Sequence, residues 1–400
     1  MKQDNISLPE IWLMVLIIAL PQLSETVYTP SLPDIAKSLL ISHAVVEYTL
    51  TIFLFGLALG TLFWGKLSDK FGRKPALLSG LVIYSIGCVG CYFSTTITML
   101  LISRFIAAFG GSTGSVLGQV ICRDAFQGSD RGRVFSIIGS SLALAPALGP
   151  IIGGIIAQYF GWSAIFLFLI LVSILTLVLV VNRLPETYTP THFSLQIIKQ
   201  TMLKMLFDCK VLGFGLMVAL CNGISFSYFA EGSFCLINAL GLTPSSYGST
   251  FIVLSVATMF GGYSSKKMNE QAVDVWFIIG RGALLILGGA VFYLVGMIAL
   301  NFMQASSVLF IALIVLSMAF MMLGIGIMIP NVLSIALKDY QKVLGTASSL
   351  FGFYYYCLIS LCTLGMGLLH NHTLWPMPIY FLGMAMVLNL VGYYLKKGSR

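Results

Sequence analysis

Along nearly its whole length the chain repeats one pattern: a continuous apolar run of about 20 residues, then a short polar break. About 20 apolar residues is the length at which a helix crosses a bilayer. The runs predict spans over 9–32, 45–65, 75–95, 98–121, 133–157 and 162–182, and again over 211–236, 246–264, 273–299, 306–335, 345–368 and 375–395. They do not alternate in polarity, which excludes the strands of a membrane barrel. A helix satisfies its own backbone in lipid. The expected fold is therefore an all-α membrane protein of twelve transmembrane helices.

The polar breaks are short except one. Residues 183–210 separate six spans from six, giving an N-terminal six-helix half (1–182), a cytoplasmic linker (183–210) and a C-terminal six-helix half (211–400). Two such halves are the plan of transporters built from internal repeats. In the linker, Phe193, Leu195, Ile197, Ile198, Met202, Met205 and Leu206 interleave with Gln196, Lys199, Gln200 and Lys204. That spacing predicts an amphipathic helix on the inner membrane surface.

Composition agrees: 58% of residues are hydrophobic, 9% are charged and mean hydropathy is +0.96, outside the range of a soluble domain. The net charge of +8 matters through its placement. With the N-terminus inside, all but Lys37, Arg104 and Arg281 of the 22 Lys and Arg residues fall in cytoplasmic segments. The positive-inside rule then puts both termini in the cytoplasm of a cell with the chain in its inner membrane. The first run is too long for a secretory h-region and reads as an uncleaved span. Charge scattered over many short loops excludes nucleic-acid binding. Eight cysteines are dispersed; Cys88 and Cys91 lie inside an apolar run and read as packing, and Cys235 faces the outer side alone. The four histidines, His43, His192, His370 and His372, lie near loops. His370 and His372 sit together on the outer side with no third ligand nearby, so no metal site is expected. No cofactor and no enzymatic chemistry is suggested.

Gly65-Lys66-Leu67-Ser68-Asp69-Lys70-Phe71-Gly72-Arg73-Lys74 joins the second and third runs. Gly65 and Gly72 permit a tight turn. Asp69 near a helix end suits charge-assisted hydrogen bonds, and Arg73 is placed to bridge Asp124 at the inner end of the fourth run. Gly262 to Lys267 reads as a degenerate copy lacking the acid and the second glycine. The fifth run holds Pro146 and Pro150, which bend a helix, and Gly149, Gly153 and Gly154, which open a flat face to a neighbour. Arg104 and Glu25 lie inside spans, where charge is costly and usually functional. At the rise of a helix both fall about 10 Å from the outer edge, close enough to meet or share a water. Burial favours a neutral carboxyl and a nearby cation an ionised one, so Glu25 is the candidate proton carrier. Glu231, toward the outer end of the seventh run, is either a second proton site or a residue of the outer mouth. Glu47 and Asp34 are expected at the outer surface, solvated.

The G-x-L-S-D-x-x-G-R-K stretch resembles the loop between the second and third helices of the major facilitator superfamily, and the fifth run resembles the antiporter motif of its drug–proton exchangers. Tyr28-Thr29-Pro30-Ser31-Leu32-Pro33-Asp34-Ile35-Ala36, Arg123-Asp124-Ala125-Phe126 and Leu184-Pro185-Glu186-Thr187 are similar to segments of its Bcr/CflA drug-resistance branch. That branch typically carries an acid where this chain has Thr26 and an arginine where it has Ser163, and the family often carries a glutamine where it has Ala107. The resemblance implies a major facilitator fold with Asp69, Arg73 and Asp124 as a latch on the inward-closed state. It implies a cavity lined by the first, fourth, seventh and tenth helices, which makes Gln22, Tyr28, Gln119, Asn222 and Asn331 polar candidates. Phe226, Tyr228, Tyr354 and Tyr355 are the aromatic ones. The implied activity is proton-coupled efflux of small amphipathic molecules by a monomer. A dedicated metabolite or siderophore exporter is the alternative, and a proton-coupled uptake symporter a weaker one. The partners expected are the small-molecule substrate, protons and the lipid bilayer.

Overall fold

The computed structural model describes residues 8–126, 128–142, 145–187 and 195–398, and among them every regular element is helical. In chain order these are α1 (Ile11–Thr26), α2 (Leu32–Ser38), α3 (His43–Phe71), α4 (Arg73–Tyr92), α5 (Ile97–Ala125), α6 (Gly128–Leu142), α7 (Ala145–Phe160) and α8 (Ser163–Arg183). After them come α9 (Leu195–Leu206), α10 (Cys209–Ser233), α11 (Pro244–Glu270), α12 (Val275–Phe302), α13 (Ser307–Ala336), α14 (Leu344–Leu369) and α15 (Pro376–Lys397). Among the described residues, ten helical segments are long and apolar enough to cross a membrane, with Pro146–Phe160 as a shorter apolar helix.

The two remaining predicted spans differ for compositional reasons. The run predicted over 133–157 is two helices, α6 and α7, and α6 is rich in Ser, Gly and Arg. The 27-residue α11 has ample length. Its Ser, Thr, Gly, Lys and Asn side chains keep it less apolar than the ten.

Buried side chains gather in two large apolar clusters. One is built from residues between Leu13 and Leu184, with a few from α10 and α14. The other runs from Met205 to Leu388. Within the first group α3 and α4 pack on α5; within the second, α12 and α11 pack on α13. The groups join chiefly through α3 with α14 and α7 with α11.

The joint between α3 and α4 is tighter than a loop. Helix α3 continues through Phe71 and α4 starts at Arg73, so Gly72 alone makes the turn, with φ 100° and ψ 159°. Only glycine adopts that conformation freely. Gly65 takes no part in it: it lies within α3, where an added Cβ would meet Ser349 at an ordinary 3.6 Å. In the linker, α9 leaves Met202, Leu203 and Leu206 exposed while Met205 is buried; Phe193 and His192 lie outside the described residues.

Candidate functional site

Helix periodicity assembles one cavity between the two groups of helices. Gln22, Glu25 and Thr26 share a face of α1. Asn222, Ser225, Phe226 and Phe229 share a face of α10 at the three- and four-residue spacing of a helix. With Phe251, Leu254, Ser255 and Thr258 of α11, Met322, Ile325 and Ile329 of α13, and Pro146, they enclose about 210 Å³. The wall mixes aromatic and aliphatic side chains with neutral polar ones, and among the described residues Glu25 is the one charged group on it. That carboxyl is buried, and its Oε1 has no hydrogen-bond partner.

Arg104 does not pair with it. The guanidinium lies between two rings, 3.9 Å from the centroid of Tyr28 and 3.9 Å from that of Phe53. Nη1 donates to the Ser24 carbonyl at 3.3 Å, while Nε and Nη2 have no partner. Burying a charge in mid-membrane costs about 3 kcal/mol on insertion scales, and each desolvated cation–π contact returns about 2 kcal/mol. Two rings therefore suffice to hold Arg104 without an acid. Of the two expected arrangements, direct contact or a shared water, the direct contact between Glu25 and Arg104 is not made.

Three of the nine predicted cavity residues line it: Gln22, Asn222 and Phe226. The other six have different places. Tyr28 stacks on Arg104, with its hydroxyl 3.2 Å from Thr49 Oγ1. Gln119 is exposed on α5. Tyr228 is buried against Phe251 and Phe229. Tyr354 donates to the Leu212 carbonyl at 3.2 Å, and Tyr355 packs edge-on against Phe351 and tilted against Tyr356. Asn331 is fully engaged between α11 and α13. Its Nδ2 donates to Ser265 Oγ at 2.7 Å and to Ile327 O at 2.7 Å, and its Oδ1 accepts from Asn269 at 2.9 Å.

Helix α7 supports the acid-bearing segment. A Cβ on Gly149 would collide with Thr26, one on Gly153 with the Val27 carbonyl, and one on Gly154 with the Pro244 carbonyl. Across the same seam, a Cβ on Gly248 would strike the Pro150 carbonyl. These glycines let α7 wedge between the end of α1 and the start of α11, and so place the residues beside Glu25.

At the inner ends of α3, α4 and α5 a charged clasp forms. Arg73 Nη1 meets Asp69 Oδ1 at 2.5 Å and Ser68 Oγ at 2.7 Å, and Nε meets Asp124 Oδ2 at 3.1 Å. All of it lies within the first group of helices. Glu186 completes it: its carboxylate accepts from the backbone N–H of Arg73 at 3.0 Å and of Lys74 at 3.1 Å, capping α4. The acid of the Leu184–Thr187 segment thus has a local role that its sequence neighbours do not reveal. The degenerate copy has a neutral counterpart in the Ser265–Asn269–Asn331 cluster.

Glu231 lies away from the cavity, at the outer seam. It is fully buried, and His370 Nδ1 sits 2.9 and 3.0 Å from its two oxygens. Cys235, predicted to face outward alone, is buried with Sγ 3.6 Å from the same carboxylate. Glu47, expected at a solvated surface, is also fully buried, and neither carboxylate oxygen has a partner. His43 approaches His370 to 3.2 Å, so a third imidazole stands beside the pair that is adjacent in sequence.

The comparisons with known proteins fit this geometry. A model of the Major Facilitator Superfamily matches residues 14–363. The chain belongs to that superfamily. It is a multi-span membrane transporter. An uncharacterized transporter of Rickettsia felis is 35% identical over 365 residues, covering 91% of this chain and 90% of the relative. The bicyclomycin resistance protein homolog of Haemophilus influenzae is 28% identical, covering 94% and 92%. Multidrug resistance protein D of Escherichia coli is 23% identical, covering 88% and 86%. Such relatives agree with the drug-resistance branch read from the motifs. Among solved structures, the xylose transporter XylE from E. coli, in a partially occluded inward-open conformation, superposes with a TM-score of 0.73 at 14% identity, covering 96% of each chain. At that identity it speaks for the fold alone.

Proposed function

We propose that this transporter exports small amphipathic molecules, drugs among them, across the cytoplasmic membrane in exchange for protons. The fold would comprise twelve spans in two six-helix halves, with residues 183–210 as the linker and both termini in the cytoplasm. The protein would work as a monomer. The observation that carries the reading is the cavity on the seam between the helix groups, walled by Phe226, Phe229, Phe251 and aliphatic side chains with neutral polar groups between them, and holding Glu25, whose Oε1 has no hydrogen-bond partner. Relatives named for resistance to bicyclomycin, chloramphenicol and multiple drugs support the same cargo class. An anionic metabolite or siderophore fits less well, because among the described residues no Lys, Arg or His lines that cavity.

Rocking of the halves would expose the cavity to each side in turn. Glu25 takes a proton from outside, and arriving substrate displaces it inward. One charge moved across the membrane is worth about 2.3 kcal/mol per 100 mV. The Asp69–Arg73–Asp124 clasp keeps the inner ends of α3, α4 and α5 together as they move and serves as the conformational latch. Glu231 is a second proton-coupling candidate, at the outer seam.

The test is drug-induced proton release from proteoliposomes under an imposed pH gradient, run with a panel of lipophilic drugs, siderophores and amino acids. The wild type should exchange drugs for protons, and Glu25→Gln should fold but lose the exchange. Proton release preserved in Glu25→Gln would overturn the role of Glu25. Coupling only to siderophores or amino acids would overturn the cargo class.

A further inference from the structure

The outer seam holds three imidazoles that line no part of the central cavity. His370 Nε2 lies 3.2 Å from His43 Nδ1 and 3.3 Å from His372 Nδ1. We propose that these three imidazoles form a transition-metal site of the zinc type, and that the bound ion clasps the outer face shut.

The spacing is that of a coordination sphere. Zinc–nitrogen bonds of 2.0–2.1 Å in a tetrahedron place the ligand nitrogens about 3.3 Å apart. Tautomer chemistry points the same way. Glu231 lies against Nδ1 of His370, and in the neutral tautomer that donates to this carboxylate Nε2 carries the lone pair. Two other imidazole nitrogens converge on that lone pair, which can accept one hydrogen bond along its axis. A carboxylate behind a ligating histidine is the usual second shell of a zinc site. The side-chain amide of Asn238 lies 3.5 Å from the other nitrogen of His43 and orients that ring in turn.

The acids supply an independent argument. Glu47 is fully buried with both oxygens unpartnered, and its carboxylate, that of Glu231 and a His370 nitrogen all lie within 4.8 Å of one another. Both acids thus stand directly behind the imidazoles, where carboxyl groups form the outer shell of a histidine metal site. Imidazole ligands select zinc, copper or nickel over magnesium or calcium. The three histidines line an outward-facing hollow of about 220 Å³, which gives an ion its path in.

The ligands come from both groups of helices. His43 is the first residue of α3, whereas His370 and His372 follow α14. Any movement that parts the outer ends of α3 and α14 must break the coordination, so a bound ion holds the outer face closed and slows transport.

Zinc chloride is titrated calorimetrically into the full-length protein in detergent, with thermal unfolding alongside. The wild type should bind one ion per chain at about 1 µM or tighter and melt higher with zinc. His43→Gln and His372→Ala should each weaken binding at least about 10-fold, and Glu231→Gln roughly 10- to 100-fold. In proteoliposomes, external zinc should slow the wild type and leave the His43→Gln/His372→Ala double variant unaffected. Wild-type affinity in that folded double variant would overturn the site. Failure of the wild type to bind zinc below about 100 µM would do the same. Tight binding without slowed transport would overturn the clasp.

Discussion

Arg104 donates to the carbonyl of Ser24, the residue before Glu25, and makes no ion pair with the Glu25 carboxylate. The cation is held by the faces of Tyr28 and Phe53 instead. This separation matters for a proton carrier. An acid locked to an arginine would have to break the pair at each protonation. Here the cation stays seated on its rings, and Glu25 can change charge with no side chain leaving its place.

The stacking distinguishes arginine from lysine. Arg104→Lys keeps the charge but replaces a flat, weakly hydrated group by a compact, strongly hydrated one. It should cost about 2 kcal/mol, and Phe53→Leu about half as much. Thermal unfolding in detergent measures both. An Arg104→Lys protein melting within about 1 °C of wild type would refute the stacking account.

Substitutions at the single-residue joint should separate the two glycines of the α3–α4 motif. Gly72→Ala forces a side chain into φ 100° and against Glu186, 2.9 Å away. Its cost should be on the order of 1–3 kcal/mol. Gly65→Ala, with space for the methyl, should be near neutral. Glu186→Ala removes the cap of α4 and should cost about 1 kcal/mol. Equal melting temperatures for Gly72→Ala and Gly65→Ala would show that the turn does not depend on glycine.

The sequence makes the helices and one cavity face legible, and the reasons are local. Apolar runs locate most spans, and the 222, 225, 226, 229 spacing marks one side of α10. Ser225 and Phe229 could have been named from that spacing alone. What escapes is set by distant contacts. Asn331 has the polarity of a cavity residue, yet Ser265 and Asn269 of α11 satisfy its amide. Glu47 sits near a predicted helix end, yet Gly367 of α14 lies beside its carboxylate and the acid is fully buried. His43 and His370 are 327 residues apart in the chain and in hydrogen-bond range in space. No spacing rule spans that separation.

The wedge of α7 gives a prediction about rate. Gly153→Ala sets a methyl into the Val27 carbonyl, so α7 must move off α1 and disturb the residues beside Glu25. Transport should fall by about 10-fold or more, in line with a cost of at least 1.4 kcal/mol. Gly262→Ala has no atom within 4 Å of its new methyl and should transport as wild type. Proteoliposome efflux rates, normalised to folded protein, compare the two. Similar rates for both variants would remove the wedge as a determinant.

A last prediction concerns pH at the cytoplasmic side. Tyr340, in the turn before α14, donates to Asp208 Oδ2 at 2.9 Å, and Asp208 Oδ1 accepts from the backbone N–H of Lys210 and Val211 at the start of α10. Burial first, then the hydrogen bond to Asp208 and its charge, push the Tyr340 phenol up to about 12 from an ordinary 10. A raised phenol is one whose protonated form the fold favours. Its contribution is therefore complete below pH 10 and is lost as pH rises through about 12. Tyr340→Phe should cost about 1–2 kcal/mol at pH 7 to 9, and its deficit against wild type should shrink above pH 10. Unfolding in denaturant across that range checks both. A deficit that stays constant to pH 12 would mean that packing of the ring, and not its hydroxyl, joins this turn to α10.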